Sequence, residues 1–195
     1  MSADKRKIAG VMGGMGPDAT VDFMAKVIAM TDSDRDQDHV HMIVDQDPTV
    51  PNRQAAIRSG QDDVSDRLAV MAKRLQDAGA DFLVMVCNTA HVFLDGVHTE
   101  TRIPFVSIID ESIAEIDRRC PEAKVIGIMA TDGCLDTNVY QDAVIASGRE
   151  ALSPDEHDRA ELMRLITAIK SGDQGAGIAE RMEAVAAKLV ERGAD

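Results

Sequence analysis

Ala9-Gly10-Val11-Met12-Gly13-Gly14-Met15-Gly16-Pro17-Asp18-Ala19-Thr20 returns later in the chain as Ile126-Gly127-Ile128-Met129-Ala130-Thr131-Asp132-Gly133-Cys134-Leu135-Asp136-Thr137. The two copies keep one constant offset as far as Ala29 and Ala146. Gly10/Gly127, Met12/Met129, Gly16/Gly133, Thr20/Thr137, Val27/Val144, Ile28/Ile145 and Ala29/Ala146 are identical, and Phe23 corresponds to Tyr140. A second block, Gly79-Ala80-Asp81, recurs as Gly193-Ala194-Asp195 at a nearly equal offset. Such self-similarity marks an architecture built twice from one unit. After the first G-A-D the chain continues Phe82-Leu83-Val84-Met85-Val86-Cys87-Asn88-Thr89, an apolar strand ending in a cysteine; the second copy stands at Asp195, the last residue given.

Around this repeat, apolar runs bounded by turn residues read as strands over 7–12, 40–44, 82–86, 105–108 and 125–129. Helical periodicities occupy 19–30, 64–78, 112–118, 137–147, 156–170 and 178–191. Alternating strands and helices, with strands apolar on both faces, specify an α/β fold. Each of two pseudo-symmetric lobes is expected to be a parallel sheet flanked by helices, with ligands gathering at the carboxyl ends of the strands. The lobes are placed at 1–120 and 121–195, divided near Cys120-Pro121-Glu122, the second incomplete and the last helix a candidate to cross back.

A net charge of −13, from 21 basic and 34 acidic residues, argues against nucleic acid and anionic membrane as partners. No apolar run approaches the roughly 18 residues that cross a bilayer, and residues 1–7 lead directly into a strand, not a signal-peptide apolar region. A cytoplasmic location is expected. Cys87, Cys120 and Cys134 are odd in number and form no C-x-x-C pair, so neither a disulfide framework nor a zinc knuckle is indicated. His39, His41, His91, His98 and His157 include no H-E-x-x-H, and no metal site is expected.

Gly13 to Thr20 follows the first strand and opens the first helix. Glycine permits close backbone approach and Pro17 suits a first helical turn, so the amides around Met15 and Gly16 are placed to hold an anion. Gly14-x-Gly16-x-x-Ala19 also satisfies the dinucleotide fingerprint, with Asp45 or Asp47 where a ribose-binding acid would sit. A tight strand-to-helix turn without a ligand is the third reading. Cys87 lies at the end of its strand with Asn88 or Thr89 positioned to cap the next helix. A thiol there would feel the positive end of a helix dipole and gain thiolate character, unless it is simply a buried structural cysteine.

Together the G-G-M-G-P-x-A-T loop, Val50-Pro51-Asn52-Arg53, Ile103-Pro104 and the G-A-D-F-x-x-M-x-C-N-T-A-H block from Gly79 to His91 resemble the aspartate/glutamate racemase family, most closely its aspartate racemase branch. The resemblance runs from Lys7 to Asp195. It implies a two-lobed α/β homodimer that inverts the α-carbon of an amino acid without pyridoxal phosphate, metal or other cofactor. Two cysteines act on opposite faces of the substrate, one removing the α-proton and the other returning a proton. Cys87 matches the first thiol. The second is expected as far beyond Asp195 as Cys87 lies beyond Asp81, at about position 201, so the 195-residue chain is expected to bind an acidic amino acid weakly and not to racemise it. Cys134 stands where the family has threonine.

Carried over residue by residue, the substrate-binding set is Met15, Gly16, Arg53, Asn88, Thr89, Thr131 and Lys170. Arg53 suits bidentate capture of a carboxylate. Lys170 reads equally as a cation complementing the end of its helix. Asn88 and Thr89 read equally as caps, and His91 as a structural group. The leading function is a racemase for aspartate or glutamate. The alternatives are a one-thiol relative (a decarboxylase or cis–trans isomerase), an inactive homologue, and a non-catalytic module binding a small carboxylate or nucleotide.

Overall fold

Val11 and Met12 have no solvent exposure and Ala9 and Gly13 are buried beside them, which is the environment of a central strand covered on both faces. The computed structural model describes residues 6–173 and 175–195. Contacts divide the chain into two compact units, Met1–Ile108 and Ile109–Asp195.

In the first unit, β1 (Ala9–Gly13) is followed by α1 (Pro17–Met30), β2 (Met42–Gln46), α2 (Arg53–Ser59) and α3 (Asp63–Asp77). Then come β3 (Phe82–Met85), a 3-10 turn (Thr89–Phe93), α4 (Asp95–Glu100) and β4 (Phe105–Val106). The strands form one parallel sheet in the order β2-β1-β3-β4, with Met12 opposite both Asp45 and Met85. Helix α3 shows how the sequence drives this packing. Val64, Leu68, Met71, Ala72 and Leu75 recur at helical spacing and are buried in the same cluster as Met12 and Leu83. Asp62 caps the start, its side chain accepting from the Ser65 amide at 3.2 Å. Gly79, at φ +100°, turns the chain out of the helix while the Ala80 amide reaches back to Leu75 O.

The second unit contains α5 (Ile108–Arg119, entering at Ile109), β5 (Val125–Gly127), α6 (Asp132–Asp136), α7 (Val139–Ala146), β6 (Glu150–Leu152), α8 (Glu156–Lys170) and α9 (Ala176–Glu191). Strands β5 and β6 pair in parallel. Ile128, Leu135 and Val144 form a core on which Ile113 of α5 packs. Helix α9 packs within this unit, on β5 and α8.

The repeat is reproduced bond for bond. The Asp81 amide donates to Ile8 O at 2.8 Å while the Asp81 carboxylate accepts from the Ile8 amide at 2.7 Å. In the second copy the Asp195 amide donates to Val125 O at 3.0 Å, and its carboxylate accepts from Lys124 and Val125. Those two amides hold the Asp195 carboxyl below the usual carboxylate range. Gly193, at φ +104°, repeats Gly79, and Ala194 bonds Leu189 O as Ala80 bonds Leu75 O. Gly10 and Gly127 have the same reason to be glycine: a Cβ would meet Ala80 and Leu75 in one copy and Ala194 and Leu189 in the other.

Several elements differ from the sequence expectation. Strand β4 stops at Val106, because its ladder with β3 has only two pairs, and Ile108 opens α5. Strand β6 has no signature in the sequence, since three residues beginning with an exposed Glu150 form no apolar run. Helix α2 carries only Ala56 as a buried residue and is defined instead by its ends: Asn52 accepts from Ala55, and Gly60 lies at φ +68°.

Candidate functional site

Strands β1 and β3 are neighbours, and the Val86 amide bonds Met12 O at 3.0 Å. The glycine loop and Cys87 therefore leave adjacent strands at the carboxyl ends of one sheet, where open parallel sheets collect ligands.

The glycines of the loop serve different ends. A Cβ on Gly13 would lie 2.5 Å from the Thr20 side chain. Gly14 has φ +91°, and a Cβ there would lie 2.4 to 2.6 Å from the Asp47 backbone. Its amide donates to Thr20 Oγ1 at 2.9 Å, so the loop is pinned by a fully buried threonine and that amide is already used. Gly16 alone of the three faces open space, in extended conformation ahead of Pro17. Met15 is buried, 3% exposed, and its carbonyl accepts from Arg53 Nη2 at 3.3 Å.

Arg53 is half-buried at the start of α2. Its Nη1 donates to Val50 O at 2.9 Å and to Pro51 O at 2.7 Å. Carbonyls from the turn and from the glycine loop thus fix the guanidinium, yet it forms no ion pair with any described residue. In a chain so rich in carboxylates, a fixed and half-buried cation without a carboxylate partner is a ready acceptor of an external anion.

Cys87 is partly buried and packs on the core of the first unit. The dipole expected behind it is smaller than the sequence suggested. Thr89–Phe93 is a short 3-10 turn, and Asn88 forms no side-chain cap to it, so capping by Asn88 is corrected. Asn88 is exposed and Thr89 buried. His91, 6% exposed, has Nδ1 2.8 Å from Cys87 O and Nε2 3.4 Å from the Ile108 amide. A carbonyl requires a donor and an amide an acceptor, so the proton sits on Nδ1, and the ring braces the Cys87 backbone edge-on to Phe105. The C-x-x-x-H spacing was the available signal for this brace.

In the second unit, Thr131 caps α6, accepting from the Cys134 amide at 3.4 Å, and Arg159 binds Asp132 and Asp136 beside it. Cys134 is interior, 1% exposed, and Cys120 is exposed after α5. Lys170 is exposed in the last turn of α8. Arg53 is thus joined to Met15 by a hydrogen bond, with Gly16 next in the chain and Cys87 leaving the neighbouring strand of the same unit, while Thr131 and Lys170 belong to the other. The acids proposed for a ribose are both engaged: Asp45 pairs with Arg74 at 2.6 Å, and Asp47 with Arg67. Arg67 carries no signature in the sequence, and Thr20, legible there only as a residue of the repeat and the glycine motif, is the side chain that pins the loop. Among the described residues no helix is long and apolar enough to cross a membrane.

Residues 12–195 match the family model described as Asp/Glu/Hydantoin racemase. The chain is 30% identical over 165 residues to the broad specificity amino-acid racemase RacX of Bacillus subtilis (strain 168), covering 83% of this chain and 70% of that protein. In structure it is similar to Picrophilus torridus aspartate racemase, with a TM-score of 0.81 and 28% identity over 92% of this chain and 74% of that one. It is also similar to an aspartate racemase homologue from Pyrococcus horikoshii OT3, with a TM-score of 0.69 and 26% identity over 83% of this chain and 70% of that one. A family model that spans residues 12–195, together with the identity to RacX, shows that the chain belongs to the Asp/Glu/hydantoin racemase family.

Proposed function

We propose that this protein is a cofactor-independent racemase of an acidic amino acid, aspartate before glutamate, working as a cytoplasmic homodimer. The observation that carries the substrate class is Arg53: three backbone carbonyls hold its guanidinium beside the glycine loop, with no described carboxylate upon it. In this reading Arg53 takes a substrate carboxylate through its remaining N–H groups. The space at Gly16 admits the substrate, and Asn88 and Thr89 contribute hydrogen bonds. Thr131 and Lys170 join the binding set on family resemblance.

Inversion at carbon requires deprotonation on one face and reprotonation on the other. Cys87, as thiolate, takes the α-proton, and a second thiol on the opposite face returns one. A sulfur base suits the task because a thiol ionises far more readily than a hydroxyl near neutral pH. Nucleotide binding is the weaker reading, since Asp45 and Asp47 are both in ion pairs.

Incubation of the protein with L- and D-aspartate and L- and D-glutamate in deuterium oxide tests the proposal. Deuterium entering the α-position together with loss of optical rotation is the result expected of a protein that carries both thiols. Binding without exchange would leave a carboxylate-binding protein and remove the racemase reading.

A further inference from the structure

The geometry points to Asp47 and Arg67 as a positioning pair that sets the reach of Arg53, and through it the recognition of an acidic substrate's carboxylate. This rests on the function proposed above for the substrate, but not for the positioning itself.

Asp47 is an acid with 7% exposure at the end of β2, and every acceptor site on it is occupied. Oδ1 accepts from the Thr49 amide at 2.9 Å and from the Thr49 hydroxyl at 2.6 Å. Oδ2 accepts from Arg67 Nε at 2.7 Å and from Arg67 Nη2. Arg67 Nη2 also reaches Thr49 Oγ1 at 3.3 Å, closing a ring of three side chains. These donors hold the Asp47 carboxyl below the usual carboxylate range, the Thr49 hydroxyl first among them. A carboxylate so fully engaged has no capacity left for a ligand, so its place at a strand end calls for a structural explanation.

The explanation lies in what the ring fastens. Arg67 stands on α3, whose Leu68 and Met71 are wholly buried, so its backbone is rigid. Thr49 lies in the irregular turn between β2 and α2, immediately before Val50 and Pro51. Those two residues supply the carbonyls that hold Arg53 Nη1. The Asp47 amide bonds Gly13 O at 3.3 Å, and its backbone fills the space beside Gly14. Asp47 therefore ties the core helix to both supports of Arg53, its carboxylate to the turn and its backbone amide to the glycine loop. A turn without such a tie is free to shift, and misplacement of a binding group by about 1 Å is enough to cost about 100-fold in function.

Arg67→Met removes the tie without altering Arg53 itself or its three carbonyl partners. The expected result is an increase in KM for aspartate of about 10-fold or more with kcat little changed, the signature of lost ground-state binding. The conservative Arg67→Lys variant should recover part of that loss, because it keeps one donor to Asp47, and Thr49→Ser, which keeps the hydroxyl, the amide and Arg67, should stay near wild type. The Arg53 Nε–H NMR resonance, followed without substrate, should move in Arg67→Met and return toward wild type in Arg67→Lys. An Arg67→Met protein that melts lower, yet keeps the wild-type KM and an unmoved Arg53 resonance, would overturn the proposal. If Arg67→Met fails to fold, the same two readings on Arg67→Lys and Thr49→Val decide the matter in the same sense. If the wild-type protein neither binds nor racemises acidic amino acids, the proposed function falls, and the Arg53 resonance still decides the positioning role.

Discussion

Replacing Gly14 by alanine should be one of the costliest single-methyl changes in this protein, and the same change at Gly16 one of the mildest. At Gly14 the backbone has φ +91°, where an L-residue is strained by about 1–3 kcal/mol. The added Cβ would lie 2.4 Å from Asp47 C, 2.5 Å from its N and 2.6 Å from its O. Carbon contacts normally settle at about 3.5–4.0 Å, so the turn must retreat by about 1 Å. Such a retreat breaks the Asp47 amide bond to Gly13 and loosens the Arg67 pair, a further loss of about 1–3 kcal/mol. The sum is about 2–6 kcal/mol against a typical total stability of about 5–15 kcal/mol. With a urea dependence of about 2 kcal/mol per molar, the unfolding midpoint should fall by about 1–3 M. At Gly16 the backbone is extended and no atom lies within 4 Å of the new Cβ, so stability should change by no more than about 1 kcal/mol. Gly16→Ala should instead weaken substrate binding, because the methyl projects into the space assigned to the ligand. Urea titrations of both variants by circular dichroism, with racemisation measured beside them, provide the check. A Gly14→Ala protein with the wild-type midpoint would refute the reasoning, and so would a Gly16→Ala protein that loses stability but keeps full activity.

Cys87→Ala should abolish deuterium exchange at the substrate's α-carbon with the circular dichroism spectrum preserved, and Cys87→Ser should be severely impaired; full exchange in the alanine variant would remove the thiol from the mechanism. Arg53→Lys keeps the charge but not the planar fork, so substrate affinity should drop, and wild-type kinetics would make Arg53 a structural cation only. His91→Ala loses both backbone contacts of a buried ring, so it should melt lower and exchange more slowly without losing exchange altogether, as measured by calorimetry and deuterium incorporation. Because the Asp47 carboxyl is held below its ordinary value, its stabilisation is complete above the unfolded pKa of about 3.9 and lost as pH falls through the lowered folded value. Asp47→Asn should consequently be less stable than wild type at neutral pH, with the gap narrowing in acid, and a gap constant from pH 7 to pH 3 would contradict that linkage.

Local pattern was enough for much of this protein. The apolar runs and helical spacings identified β1, β3, α3 and α8, because burial imposes a period on the residues that form them. The internal repeat pairs Gly10 with Gly127, Thr20 with Thr137 and the two G-A-D turns; both glycines make room for the alanine of G-A-D, both threonines donate to the carbonyl four residues back, and the two turns share their hydrogen bonds. What the sequence left open depends on partners far apart in the chain. Gly14 read equally as part of an anion-binding loop and as a tight turn without a ligand; its amide is bonded to Thr20, and its missing side chain makes room for Asp47. Asp47 read as a ligand for a sugar; it is saturated by Thr49 and by Arg67, a residue with no distinguishing neighbours in sequence. Arg53 was legible as a basic residue in a family motif, but not as a guanidinium fixed by three carbonyls and lacking a carboxylate partner among the described residues. Residue type and spacing encode the covalently local part of a site. Which donors and acceptors remain for a ligand is decided only when the sheet brings separate loops together, since a polar group is available only after its folded neighbours have been satisfied.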